Sequence, residues 1–210
     1  MRVGLIGVGN IGGALAAHFV AVGHEIAVTN SRGPESLATM VRELGEHARA
    51  MTVPQAIAFG DVVVESIPFG RYRELPREGW DGKIVIDTAN YYPQRDGIFA
   101  ELEDDSTTSS ELVQRHLTGS RVVKAFNAIY AASLRTHGKP PGDPRRQAIP
   151  ISGDDAEAKR VVAELIDQIG FDAVDAGGLS HGGRVHQRGA ALYTKELTKP
   201  ELQAALAAHG

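Results

Sequence analysis

The stretch Arg2-Val3-Gly4-Leu5-Ile6-Gly7-Val8-Gly9-Asn10-Ile11-Gly12 changes its hydrophobic period within a few residues. Arg2 to Ile6 is a short apolar run of strand length, whereas Ile11, Ala14, Leu15, His18, Phe19 and Val22 recur at helical spacing. Between them stands G-x-G-x-x-G, at Gly7, Gly9 and Gly12. Gly7 permits the tight turn, Gly9 lets the backbone approach an anion, and Gly12 allows a helix to lie close on a strand. Asn10 and Ile11 then present first-turn amides, backed by the helix dipole, to that anion. The motif alone is weak evidence in a chain with 24 glycines. A strand before it and a helix after it supply the setting that a dinucleotide site requires.

Working outward, the alternation repeats. Strands are expected at Glu25–Thr29, Ala48–Met51, Val62–Ile67, Lys83–Asp87, Val122–Ala125, Ile149–Ser152 and Phe171–Asp175. Helices are expected at Pro34–Leu44, Pro54–Phe59 and Thr108–Leu117, with another from Asp154 to Ile169, where Asp154 with Glu157 forms the cap. Tyr91–Thr107 reads as a polar, partly acidic segment, Arg135–Arg146 as a basic loop, and Gly177–Gly183 as a glycine-rich loop. Two helices are expected in the tail, the second opened by Thr198, Pro200 and Glu201. Such alternation implies βαβ units. The expected architecture is α/β: a Rossmann-like, doubly wound, mainly parallel sheet over residues 1–180. A short helical C-terminal extension over 181–210 would form an acceptor pocket or a dimer contact.

Composition narrows the function. A chain of 210 residues buries roughly 70% of the surface it would expose unfolded, so its core needs no disulfide or structural metal. The absence of cysteine removes thiolate nucleophiles and cysteine metal sites from consideration, and no metal site is expected. A net charge of -4 gives no general pull toward nucleic acid or anionic membrane. Six glycines with Asn10 and His18 interrupt the uncharged stretch from Val3 to Gly23, which argues against a leader peptide or membrane span there. The expectation is a cytoplasmic protein.

The second strand ends Asn30-Ser31-Arg32. NAD enzymes carry an acidic residue here, against the ribose hydroxyls, whereas an arginine accommodates a 2′-phosphate. Ser31 can hydrogen-bond that phosphate and Arg32 can offer it two parallel donors, so NADP(H) is expected over NAD(H). Doubly wound sheets bind ligands beyond their carboxyl ends. That makes Ile67, Pro68 and Phe69 candidate walls for a nicotinamide, and Asn90 and Asn127 candidate partners for its carboxamide or a second ligand.

GVGNIGGAL (7–15), TNSRGPESL (29–37), ESIPFG (65–70), DTANYY (87–92), SSELVQRHLTGSRVVKAFNAI (109–129) and the run ISGDDAEAKRVVAELIDQIGFDAVDAGGLS (151–180) form an ordered set. That set resembles the F420-dependent NADP oxidoreductase family across most of residues 1–180. The resemblance implies a compact enzyme passing hydride between NADP(H) and a 5-deazaflavin, coenzyme F420, with the adenosine phosphate on Ser31 and Arg32. Direct transfer between two stacked rings needs close approach and a dry cleft but no protein nucleophile. Amides near Gly177, Gly178 and Leu179, or a cation, would stabilise charge on the accepting ring. The arginines of the Arg135–Arg146 loop would meet the anionic tail of F420. Residues 181–210 are more polar than the family's C-terminal segment, which leaves the acceptor open.

Two other readings stand beside this one. An NADPH-dependent reductase of a small carbonyl, an imine, a flavin or ferric iron would want a proton donor, for which His181, His186 and Tyr193 are candidates. A non-catalytic NADPH sensor would want none. The expected partner in the enzyme readings is a small-molecule hydride acceptor, and an amphipathic run at Leu197–Leu206 suits a homodimer.

Overall fold

The computed structural model describes residues 1–209. It contains one sheet of eight strands: β1 (Arg2–Ile6), β2 (Glu25–Thr29), β3 (Ala48–Ala50), β4 (Val62–Glu65), β5 (Ile84–Asp87), β6 (Arg121–Lys124), β7 (Ala148–Gly153) and β8 (Asp172–Asp175), in the order β3-β2-β1-β4-β5-β6-β7-β8. All neighbours run parallel except β6 and β7, which pair antiparallel through Val123 with Gly153 and Lys124 with Ser152. The fold is the expected Rossmann-like α/β type. The chain leaves β1 toward β2 on one side and returns to β4 on the other, so the crevice for a ligand opens beyond the carboxyl end of β1.

The helices are α1 (Asn10–Ala21), α2 (Ala38–Leu44, continuing a 3₁₀ turn over Pro34–Leu37), α3 (Val53–Phe59), α4 (Pro93–Asp96), α5 (Ala100–Glu103), α6 (Ser109–His116), α7 (Ala131–Thr136), α8 (Ala156–Gln168), α9 (Gly182–His186) and α10 (Lys199–His209). Alternate strand residues face opposite sides, as a pleat requires. Val3, Leu5, Val64 and Ile86 pack with Leu15 and Phe19 of α1 and Val162, Leu165 and Ile166 of α8. Val63, Val85 and Val122 pack on the other face with Ile57, Phe69, Tyr72, Leu112 and Leu117. Each fully buried aliphatic or aromatic side chain in these layers is worth about 1.5–3 kcal/mol relative to exposure. A third, smaller cluster joins Ala148 and Val174 to Leu192 and Leu202, so the tail after β8 packs on the free face of β7 and β8.

Several local expectations differ from the structure. Residues 131–136 form α7, which packs against α1, with Arg135 donating to the Asn10 carbonyl at 3.0 Å. The helix is too short to show a hydrophobic period. The cap of α8 is Asp155, whose side chain accepts from the Ala158 amide at 2.7 Å. Asp154 instead accepts from the Leu179 amide at 3.0 Å. The acidic segment 91–107 contains the two single-turn helices α4 and α5. No helix among the described residues is long and apolar enough to cross a membrane.

Candidate active site

A cleft of about 970 Å³ opens where the carboxyl ends of β1, β2 and β4 meet. Ile6 to Gly9, Thr29 to Arg32 and Ser66 to Pro68 line it, with Thr39, Met40 and Glu43 of α2 on one side and Leu75 and Pro76 on the other. The glycines divide the work as their spacing suggests. Gly7 has φ +91°, and a Cβ there would lie 2.5 Å from the Ser66 carbonyl oxygen. A Cβ on Gly12 would lie 2.0 Å from the Gly7 carbonyl oxygen, so α1 is seated against the turn. Nothing lies within 4 Å of where a Cβ on Gly9 would be. The fold itself therefore needs glycine at 7 and 12, while at 9 the missing side chain leaves room on the exposed side.

The amino end of α1 carries no side-chain cap. Its N-cap, Gly9, supplies no side-chain hydrogen bond, and no acidic residue stands in its first turn. α6 and α8 are capped by Thr108 and Asp155. An uncapped helix start with free amides and a positive dipole end is an anion site. Asn10 and Ile11 lie in this first turn, exposed and half-buried respectively.

At the end of β2 the loop is organised from within. Asn30 Nδ2 donates to Ser36 Oγ at 2.8 Å, and Asn30 Oδ1 accepts from the Arg32 amide at 2.9 Å. Asn30 thus shapes the turn. Ser31 and Arg32 are exposed, and among the described residues neither side chain has a hydrogen-bond or ion-pair partner. Arg71, also on the cleft wall, is paired with Glu74 at 2.6 Å.

Other expected site residues are placed elsewhere. Phe69 is fully buried behind the Ile67–Pro68 wall, stacked on Tyr72 at 5.1 Å and edge-on to Tyr91 and Phe99. An aromatic ring with an apolar pocket behind it turns inward, so Phe69 supports the cleft from the core. Asn90 and Asn127 face each other: Asn127 Nδ2 donates to Asn90 Oδ1 at 3.0 Å, and Asn90 Nδ2 to the Asn127 carbonyl at 2.8 Å. The amides near the glycine-rich loop are committed too. Gly177 donates to Asp175 Oδ1 at 2.8 Å and Leu179 to Asp154 Oδ1, while a Cβ on Gly178 would lie 2.7 Å from Asp154 Oδ1. The placement follows from the strand register. Asp175 pairs with Ile151 beyond the Lys124–Ser152 pair, so the loop after β8 lies over β6 and the first turn of α6, where Thr108 Oγ1 donates to the Leu179 carbonyl at 3.2 Å.

His186 is fully buried in α9, and burial together with Lys124 pushes its imidazole down to about 3, so the ring is neutral. Asn127 Nδ2 is occupied as a donor to Asn90 Oδ1 and to the His186 carbonyl, so Asn127 Oδ1 accepts from His186 Nδ1 at 3.0 Å. His186 Nε2 then accepts from Ser152 Oγ at 2.8 Å. Both nitrogens are used inside the protein, and the ring is a structural bridge between the tail and the loop after β6. His181 is exposed at the start of α9. Tyr193 shares a 2.9 Å hydrogen bond with Tyr92, and burial pushes its phenol up to about 12. The arginines of the 135–146 segment are also engaged: Arg145 with Asp143, and the buried Arg146 with Asp167 and Asp172. Among the described residues no group of histidine and carboxylate side chains is arranged to hold a metal ion.

Sequence reasoning missed the α2 wall and the segment after Phe69. Thr39 and Met40 stand four and three residues before Glu43, so their neighbourhood with it on one side of the helix was available from spacing. Phe69–Glu74 is a 3₁₀ stretch with no apolar period and gave no such signal.

A glycine turn, an uncapped α1 and a serine–arginine pair without a side-chain partner among the described residues surround one crevice of a Rossmann-type fold. The sequence profile of the family described as NADP oxidoreductase, coenzyme F420-dependent, matches residues 2–91 of the chain. A solved structure of a hypothetical protein from Sinorhizobium meliloti is 33% identical, covers 95% of this chain and 96% of its own, and superposes with a TM-score of 0.82. A second, from Arthrobacter sp. and provisionally assigned as an F420-dependent NADP reductase, is 25% identical over 87% of this chain and 88% of its own, with a TM-score of 0.73. The chain is also 28% identical to the metalloreductase STEAP3 of Rattus norvegicus over 88% of its length and 35% of that protein's. It spans about a third of the length of the curated relatives it matches.

Proposed function

We propose that the protein transfers hydride between NADP(H), held in the cleft beyond β1, and a planar redox acceptor of the deazaflavin or flavin class. The observation that carries the reading is the combination of an uncapped α1, open space at Gly9 and an unpartnered Arg32 on the same cleft. The pyrophosphate would lie on the amides of Gly9 to Gly12, and the 2′-phosphate would be held by Ser31 and Arg32. Ile67 and Pro68 would bound the nicotinamide half. Bound NADPH supplies the hydride, and the protein's part is to bind, orient and exclude water. The near-neutral, buried environment of His186 and the occupied amides at Gly177 and Leu179 favour positioning over acid–base assistance.

A second acceptor deserves a place in the test. Similarity to a metalloreductase over most of this chain favours trying a ferric chelate, with or without added flavin. The protein is mixed with NADPH or NADH and, in turn, F420, FMN, FAD, a ferric chelate and small carbonyls, while nicotinamide and acceptor absorbance are followed. Turnover with F420 or a flavin, and preference for NADPH, is the expected result. Turnover only with carbonyls would replace this acceptor class. Tight NADPH binding without turnover on any acceptor would make the protein a nucleotide sensor.

A further inference from the structure

Three ionisable residues end three neighbouring strands. Glu65 of β4 pairs in register with Asp87 of β5, and Asp87 with Lys124 of β6. All three have 0% exposure. They share the face of Val63, Val85 and Val122, under the first turn of α6, and are held there by the same pleat that buries those valines. Asp87 accepts through both oxygens, from the Ala89 amide at 2.8 Å and from Ser110 Oγ at 2.5 Å. Lys124 Nζ lies 3.8 Å from Asp87 Oδ2 and donates to Ser110 Oγ and to the Ala89 carbonyl, each at 3.0 Å. One carboxylate and one ammonium are thus matched.

Glu65 is left over. Its Oε1 accepts from the Ile67 amide at 3.3 Å, but its Oε2 is buried with no partner so long as the group is an acceptor only. An unpaired buried carboxylate beside another carboxylate is among the costliest arrangements a core can hold, and a single proton removes the problem. Burial and the neighbouring Asp87 push the Glu65 carboxyl well above its usual range. Protonated, Oε2 becomes a donor with an acceptor beside it in register.

We propose that Glu65 is kept as a neutral carboxylic acid whose Oε2 proton bridges to Asp87, and that this shared proton positions the Ser66–Pro68 wall of the cleft. The consequence for the cleft rests on the nucleotide-site reading above; the charge state does not. The carboxyl acts on this wall through Oε1, and the backbone of the same residue separately ties the wall to the loop after β5. Glu65 Oε1 holds the Ile67 amide directly, and the Glu65 carbonyl accepts from the Thr88 amide and hydroxyl at 3.1 and 3.2 Å, locking the loop after β5 to the loop after β4. The Ser66 carbonyl in turn abuts Gly7, so a shift of this wall reaches the glycine turn. Glu65 is therefore a positioning residue, one layer behind the nucleotide.

The test separates charge state from binding. Infrared difference spectra of the purified protein at neutral pH are compared for the wild type and Glu65→Gln. The expected result is a carbonyl stretch of a protonated, buried carboxylic acid in the wild type that is absent in Glu65→Gln. No such band in the wild type, or an unchanged band in the variant, overturns the proposal. Glutamine keeps a neutral donor and acceptor, so NADPH affinity, read by fluorescence, should stay within about threefold of wild type. Glu65→Ala removes both and should raise the KM for NADPH about tenfold or more with kcat per folded molecule little changed. If Glu65→Ala does not fold, Glu65→Gln decides: a tenfold loss of affinity there would show that an ionised carboxylate is needed. Failure of the wild type to bind NADPH would remove the nucleotide reading while leaving the infrared result to judge the proton.

Discussion

A Cβ on Gly12 would stand 2.0 Å from the carbonyl oxygen of Gly7, closer than any non-bonded contact allows. Gly9, between them in sequence, has open space where its Cβ would be. Gly12→Ala should therefore destabilise the protein by several kcal/mol or prevent folding, about 1–3 kcal/mol being the ordinary cost of overpacking. Gly9→Ala should leave the thermal midpoint within a degree or two and weaken NADPH binding. Thermal melts beside a binding titration check the pair, and an equal loss of Tm in both variants would contradict the assigned roles.

Arg32 has no side-chain partner among the described residues, so on the proposed reading its replacement acts on the ligand. Arg32→Glu should raise the KM for NADPH about 10- to 100-fold, the worth of a charge-assisted hydrogen bond of about 1.5–3 kcal/mol. The KM for NADH should change far less. Steady-state kinetics with both nucleotides decides, and parallel losses would remove Arg32 from the phosphate.

His186 makes stability depend on acid. Its folded value of about 3 lies below that of an unfolded histidine, near 6.5, so between these the unfolded chain binds the extra proton. The stabilisation is fully present above about 6.5 and falls as pH drops toward about 3, by up to about 1.4 kcal/mol per pH unit. Denaturant melts of the wild type and His186→Gln from pH 7 to pH 4 should differ in slope, the variant losing less per pH unit. Equal slopes would mean that the ring is charged in the folded protein.

Phe69 separates wall from core. As a buried ring packed on Tyr72, Tyr91 and Phe99, it should cost about 3–5 kcal/mol when cut to alanine. Phe69→Leu should restore most of that stability with NADPH affinity close to wild type. A variant that melts normally but binds NADPH poorly would return Phe69 to the cleft surface.

The elements with long or repeated patterns were readable in advance. Val62–Val64 and Ile84–Ile86 are continuous apolar runs, α8 has its core residues at helical spacing, and the glycine turn carried its context with it. What the sequence hid was direction and pairing. No local feature of residues 148–153 distinguishes an antiparallel strand from a parallel one, and with that reversal the loop of Gly178 and Leu179 comes to lie against α6. Asn90 and Asn127 looked like ligands because each follows a strand; their mutual hydrogen bonds depend on partners 37 residues apart. The Glu65–Asp87–Lys124 row was likewise invisible until register aligned three strand ends.

If the proposed nucleotide seats on the uncapped start of α1, it becomes part of the fold's thermodynamics. A ligand that binds only the folded state adds RT ln(1 + [L]/Kd), about 2.7 kcal/mol at a hundredfold excess over Kd. The thermal midpoint should therefore climb with NADPH concentration, and the amides of residues 10–12 should exchange with solvent more slowly as it does. On that reading the capping group of α1 is a ligand, and the protein's resistance to unfolding would follow the concentration of that dinucleotide.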